Sequence, residues 1–124
     1  MRDFKGLLVW QKAHRLTLEA YKATETFPHR ERFGLVDQIR RASSSIPANI
    51  AEGCGRRSQR DFARFLQHSI GSTNELEYHL LLARDLGYLE GDLHTTVDRS
   101  LREVRQMLSS LLRKVGKDAH VTSE

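Results

Sequence analysis

Arginine is the residue whose type and number first suggest chemistry in this chain. Fifteen of its twenty basic residues are Arg and five are Lys, set against sixteen Asp and Glu. A guanidinium grips phosphate through parallel N–H groups and stacks on flat rings, whereas an ammonium is a flexible point charge. The bias suits phosphate binding and suits ordinary helix surfaces and interfaces equally well. Glu75 and His79, four apart, resemble half of a metal site. A di-iron bundle needs Glu-x-x-His on two helices and two further glutamates. No second matching motif occurs, and neither a metal nor a cofactor is expected. The six histidines (14, 29, 68, 79, 94, 120) do not cluster, and His68 and His79 read as polar residues of a helix seam. Cys54, the only cysteine, lies in a glycine-flanked link just before Arg56 and Arg57. Nearby cations lower a thiol pKa, but no His is placed to orient this one, so no catalytic residue is assigned. A single cysteine rules out an intrachain disulfide and fits a reducing cytoplasm.

Four periodic segments must carry these groups. The chain has 124 residues, 39% hydrophobic and 29% charged, which is too apolar for a disordered chain and long enough for one core. No apolar run nears the roughly 18 residues of a membrane span, and the first residues do not read as a signal peptide. Each segment repeats its apolar residues with the three-and-four spacing of a helix that buries one stripe. The first runs Val9, Ala13, Leu16, Ala20, Ala23, Phe27 and stops before Pro28. The second runs Val36, Ile39, Ser43, Ile46, Ile50 and ends near Gly53 and Gly55. The third opens at Ser58, an N-cap residue, continues Phe62, Leu66, Ser69, Thr73, Leu76, Leu80, Ala83 and closes at Gly87. The fourth starts with Asp92 as cap, runs Leu93, Val97, Leu101, Val104, Leu108, Leu111, Val115 and ends at Gly116.

The links near 28–31, 53–57 and 87–91 are short, which forces neighbouring helices to run antiparallel. The expected fold is all-α, an antiparallel up-down-up-down four-helix bundle over residues 1–116 with a polar flexible tail over 117–124. Pro47 falls inside the second repeat, so that helix is expected to kink or break there. Small residues gather at Ala42, Ser43, Ser44, Ser45 and at Ser69, Gly71, Ser72, Thr73. Gly71 in mid-helix costs about 1 kcal/mol relative to Ala, and close approach of two backbones is the expected compensation.

This topology sorts the charges. One pole gathers nine cations: Arg2, Lys5, Arg56, Arg57, Arg60, Arg64, Arg113, Lys114 and Lys117. Against Asp3, Asp61, Asp118 and Glu124 its net charge is +5, while the opposite pole sums to −3. A basic pole of this kind is expected to bind nucleic-acid phosphate in a salt-sensitive way. Arg113, Lys114 and Lys117 also complement a helix C-terminus, but Arg60 and Arg64 sit near an N-terminus, where cations are disfavoured. Glu52 lies at a helix C-terminus and calls for a cationic partner.

Several runs in order resemble a known family. They include Trp10-Gln11-Lys12-Ala13, Phe27-Pro28, Glu31-Arg32-Phe33-Gly34-Leu35, Gln38-Ile39-Arg40-Arg41-Ala42 and the specific Ser45-Ile46-Pro47-Ala48-Asn49-Ile50-Ala51-Glu52-Gly53. Phe65-Leu66, Gly71-Ser72, Glu75-Leu76-Glu77 and Ala83-Arg84-Asp85-Leu86-Gly87-Tyr88 follow. The chain resembles the bundle proteins encoded within intervening sequences of bacterial 23S ribosomal RNA genes, which are similar to accessory proteins of diversity-generating retroelements. The resemblance covers about residues 4–90. It implies a homopentameric bundle, no enzymatic activity, and nucleic-acid binding as in the retroelement relatives, where the bundle also engages a reverse transcriptase. It matches Arg40 and Arg41 to paired basic positions, which adds them to the candidate contacts, and Glu52, Glu75 and Glu77 to acidic ones.

The expected function is that of a non-enzymatic, cytoplasmic oligomer that binds structured RNA or DNA through arginine–phosphate contacts. Two rivals stand beside it. Apolar residues outside the core stripe, namely Leu7, Leu8, Leu18, Leu35, Phe65, Leu82 and Leu112, suit a protein-interaction scaffold with no nucleic acid. Arg113 and His120 form Arg-x6-His, which resembles the active-site motif of HEPN-type ribonucleases, although Gly116 between them and the expected tail argue against an ordered pair.

Overall fold

The structure, a computed structural model, describes the backbone of residues 2–122 and the side chains of residues 2–117. Four helices account for most of it: α1 (Leu8–Thr24), α2 (Leu35–Cys54), α3 (Gln59–Asp85) and α4 (Gly91–Thr122). Short 3₁₀ turns at Phe4–Gly6 and His29–Glu31 precede α1 and α2. Cross-helix pairs fix the directions. Thr17 meets Ser43, Ser69 meets Ile46, Asn74 meets Arg105 and Lys12 meets Glu103. Together with Arg40–Thr24, Ser72–Ser45, Arg102–Glu77 and Ser100–Glu19, each pair of neighbours counts up on one helix and down on the other. The four helices therefore pack as an antiparallel bundle with α1 beside both α2 and α4.

The stripe residues of the first three helices are all buried, from Val9 to Phe27, Val36 to Ile50 and Phe62 to Ala83. α4 buries Val97, Leu101, Val104, Leu108 and Val115. Two expectations for α4 fail at its start. The helix begins at Gly91, which puts Asp92 inside the first turn and not at the cap, and Leu93 stays 40% exposed. Leu89, in the α3–α4 link, is buried instead, at 3%. α4 also continues through Gly116 to Thr122. One glycine weakens a helix by about 1 kcal/mol and does not oblige it to stop, and Val115 anchors this turn in the core. The tail expected from 117 is thus helical as far as 122, and residues 123 and 124 lie outside the described residues. Among the described residues no helix is long and apolar enough to cross a membrane.

α2 runs unbroken through Pro47, so of the kink or break expected there, the break does not occur. Pro47 has no N–H for the carbonyl of Ser43, a residue with no exposed surface. The missing bond is replaced from α1. The Thr17 hydroxyl donates to the Ser43 oxygen at 2.9 Å, sharing its proton with the Ala13 oxygen at 3.1 Å. The opposite side of α2 is tied in the same manner, with Ser69 Oγ donating to the Ile46 oxygen at 2.8 Å and Ser72 Oγ to Ser45 Oγ at 2.9 Å. A serine hydroxyl is short, so these bonds require α2 and α3 to lie close, as the small residues suggest. Gly71 is not the cause: it faces outward, and a Cβ there would meet nothing within 4 Å. The structure shows no contact that offsets its cost.

The Thr17–Ser43 bond yields a stability cycle. Thr17→Val should cost about 1–3 kcal/mol, the penalty of an orphaned buried carbonyl. Pro47→Ala restores an N–H to α2, so in that background Thr17→Val should cost clearly less. Chemical denaturation of the four proteins measures the coupling, and equal costs in both backgrounds would refute the role assigned to Thr17.

Candidate nucleic-acid interface

The basic pole is built around the corner between α2 and α3. α2 closes with Gly55 N–H donating to the Glu52 oxygen and Arg56 N–H to the Gly53 oxygen. α3 opens as its sequence suggests, with Ser58 Oγ accepting from Asp61 N–H at 3.1 Å. Gly53 lets the two ends meet. A Cβ on it would lie 2.8 Å from Phe62 Cδ1, closer than real Cβ contacts come, and 3.0 Å from Phe65 Cβ, tighter than nearly all of them. The start of the chain folds over the same corner. Arg2 N–H donates to the Cys54 oxygen at 3.1 Å, and its guanidinium sits 4.3 Å from the Phe62 ring centroid.

Arg56 and Arg64 both lie against Phe65, at 4.7 and 4.9 Å from its centroid. Each also has an acid nearby, Glu52 at 3.6 Å for Arg56 and Asp61 at 3.8 Å for Arg64. Glu52 thereby finds the cation that its place at a helix C-terminus demands. It also joins the pole, adding an acid that the sequence-based charge count leaves out. Arg57, Arg60, Lys114 and Lys117 are exposed and have no ion-pair partner among the described residues. Arg113 donates to Ser110 Oγ at 3.2 Å.

Helix register brings α4 to this corner. Lys12 pairs with Glu103, so four residues further along two antiparallel helices Met107 stands level with Leu8, the first residue of α1, and Arg113 lies beyond it at this end. Asn74 pairs with Arg105, so nine residues on, Lys114 stands level with Phe65. The arginines of the link and the cations of α4 thus share one end, as antiparallel packing requires. Arg40 and Arg41 do not join them. Arg40 is spent on α1, donating to Thr24 Oγ1 at 3.0 Å and the Tyr21 oxygen at 3.3 Å while lying 4.7 Å from the Tyr21 ring. Arg41 is exposed beside Asp37, on the half of α2 remote from the corner.

The remaining candidates resolve into structural parts. Glu77 links α3 to α4 by accepting from Arg105 at 2.8 Å and Arg102 at 3.1 Å. Asp98 holds Arg102 from the same helix at 2.8 Å, and that hydrogen bond raises the guanidinium pKa. Sequence periodicity gave no sign of this lattice, because the partners lie 25 and 28 residues apart. Glu75 faces His79 Nε2 at 3.6 Å one turn away. Among the described residues no group of three or more His, Cys, Asp or Glu is placed to hold a metal ion. Of the apolar residues read as half-exposed, Leu35 is in fact buried, whereas Leu8 and Leu18 are more than half exposed. The continuity of α4 places positions 113 and 120 on one helix, which removes the objection from Gly116; the His120 side chain lies outside the described residues.

Cys54 is buried, and burial pushes its thiol pKa up, with Arg2 opposing that effect only in part. The activated thiol suggested by Arg56 and Arg57 is therefore not realised. A raised folded-state pKa favours the neutral thiol. Its stabilising contribution is present below the ordinary value of 9.0 and is lost as pH rises through the folded value. Two outcomes follow. The native thiol should react with an aromatic disulfide reagent at least about tenfold more slowly than in the unfolded chain, and Cys54→Ala should flatten the alkaline decline in stability. Equal thiol reactivity of the native and unfolded chains would contradict this burial.

Comparison with known proteins fits the architecture. Residues 5–110 match the family model described as 23S rRNA-intervening sequence protein. A solved structure from Bacteroides thetaiotaomicron VPI-5482, a protein of unknown function from the S23 ribosomal protein family, is similar at 26% identity and a TM-score of 0.77. The similarity covers 85% of this chain and 98% of that one. No curated protein matches the chain. With helix order, core stripe and a match over most of its length in agreement, the chain belongs to the family of 23S rRNA-intervening sequence proteins.

Proposed function

We propose that this chain is a non-enzymatic, oligomeric bundle of the cytoplasm that binds structured nucleic acid through its basic pole. One observation carries the reading. Cations far apart in sequence, Arg57 on the link and Lys114 on α4, stand at the same end of the molecule without acidic partners among the described residues. Unpaired cations held on a rigid scaffold release counterions when they meet phosphate, and that release drives binding without base contacts. The family's name refers to an intervening sequence of 23S rRNA, which makes RNA the first ligand to test. Aromatic faces at this pole are occupied by arginines, so contacts to the phosphates of a duplex or stem-loop fit better than stacking on unpaired bases.

Filter binding to duplex and stem-loop RNA across a salt series tests this. The logarithm of affinity should fall linearly with the logarithm of salt concentration, and Arg57→Gln with Lys114→Gln should shrink the slope by about one to two. Binding that is absent at low salt, or indifferent to salt, would remove the proposal.

The oligomer belongs to the same reading. Leu8 and Leu18 on α1, Tyr78 and Leu81 on α3 and Phe33 before α2 are exposed in the single chain. Apolar residues on several helix faces favour association between copies, and the family resemblance gives five as the expected number. Sedimentation analysis should find a homo-oligomer, and a strict monomer at micromolar concentration would reject it. These same residues favour the rival scaffold reading, in which the chain associates with protein and RNA binding is lacking.

A further inference from the structure

We propose that Phe65 is a positioning residue of the basic pole: its ring holds the guanidinium groups of Arg56 and Arg64 in place, preset to receive phosphate. The proposal rests on the reading of this pole as a phosphate-binding surface and adds what organises it.

Arg56 belongs to the link and Arg64 to the second turn of α3, eight positions away. Both guanidinium carbons nevertheless lie within 5 Å of one ring centroid, well inside the roughly 6 Å reach of a cation–π contact. The ring is itself fixed. It is half-buried, His68 meets it at a steep angle with centroids 5.7 Å apart, and Gly53 provides the space for its Cβ. A free arginine surrenders much rotamer freedom when it binds, while a stacked one has surrendered part of it already. The acids beside the pair are poor competitors. Glu52 and Asp61 stand at 3.6 and 3.8 Å, both side chains about half exposed. Charge-assisted guanidinium bonds are typically about 2.7–2.9 Å, and exposed pairs of longer geometry contribute little. A phosphate reaching either guanidinium can supply the short, forked contacts that these carboxylates do not. Arg57, Arg60, Lys114 and Lys117 have no ring among the described cation–ring contacts and act as a diffuse charge around the pair.

The test uses the full chain, a stem-loop RNA as probe, and the variants Phe65→Leu and Phe65→Tyr. Leucine keeps an apolar side chain and removes the π face, whereas tyrosine keeps the face. In the wild type, NMR should show the Arg56 and Arg64 side-chain protons shifted upfield by the ring current, and Phe65→Leu should abolish those shifts. Phe65→Leu should weaken RNA binding about three- to tenfold and leave the salt slope unchanged, because the number of phosphates neutralised is the same. Phe65→Tyr should retain the wild-type affinity. Wild-type affinity in Phe65→Leu would overturn the proposal and leave the reading of the pole standing. Equal weakening by leucine and tyrosine would also overturn it, since packing alone would then account for the loss. Should the wild type show no salt-dependent binding, the reading of the pole fails and this proposal fails with it.

Discussion

Pro47 brings no N–H into α2, and the Ser43 carbonyl that would have used one is enclosed between helices. A buried carbonyl without a donor costs about 1–3 kcal/mol, a sizeable share of the roughly 5–15 kcal/mol that holds a domain folded. The Thr17 hydroxyl removes that cost only if α1 lies at one height against α2. Ser69 and Ser72 set the height of α3 on the other side in the same way. Apolar contacts are non-directional, whereas a short hydroxyl must reach one particular oxygen. These bonds thus convert an apolar bundle into one with a fixed register.

The basic pole inherits that register. On α4, whose register against α3 is marked by the Asn74–Arg105 pair, Lys114 stands level with Phe65. The corner adds a second constraint. Gly53 has no side chain, so Phe62 and Phe65 pack on the end of α2 and present their rings to Arg2, Arg56 and Arg64. A positive surface would arise from almost any cluster of arginines. Here the cluster is arranged, with three guanidinium groups over rings, Arg113 bonded to Ser110, and Arg57 and Arg60 left to solvent.

The bundle and its buried stripe were legible in the sequence because periodicity reports a helix face directly. Ser58 was legible as a cap for the same local reason. What failed to show depends on partners remote in sequence or on balances of about 1 kcal/mol. Pro47 looked like a break because its replacement donor, Thr17, lies thirty positions away. Gly116 looked like an end because the local cost of one glycine, about 1 kcal/mol, reads as a stop signal, yet α4 continues past it to Thr122. Arg40 looked available because nothing local announces its bonds to Tyr21 and Thr24. The pole itself could be assembled from topology, but the rings that organise it could not, since cation–ring contacts leave no periodic trace.

At the far pole a single carboxylate has two tasks. Glu31 Oε1 accepts from the Leu35 N–H at 3.2 Å, in the first turn of α2, and Oε2 accepts from the Tyr88 hydroxyl at 3.0 Å, in the link between α3 and α4. Tyr88 in turn packs on Phe27 at the end of α1. One carboxylate therefore joins the start of α2 to the α3–α4 link, and through Tyr88 to Phe27 just after α1. Local opening at this end is shared among them: fraying of α2 frees the tether on the α3–α4 link, and swinging of that link bares the start of α2. These two segments thus share a single polar tether, and loss of that carboxylate would loosen both at once.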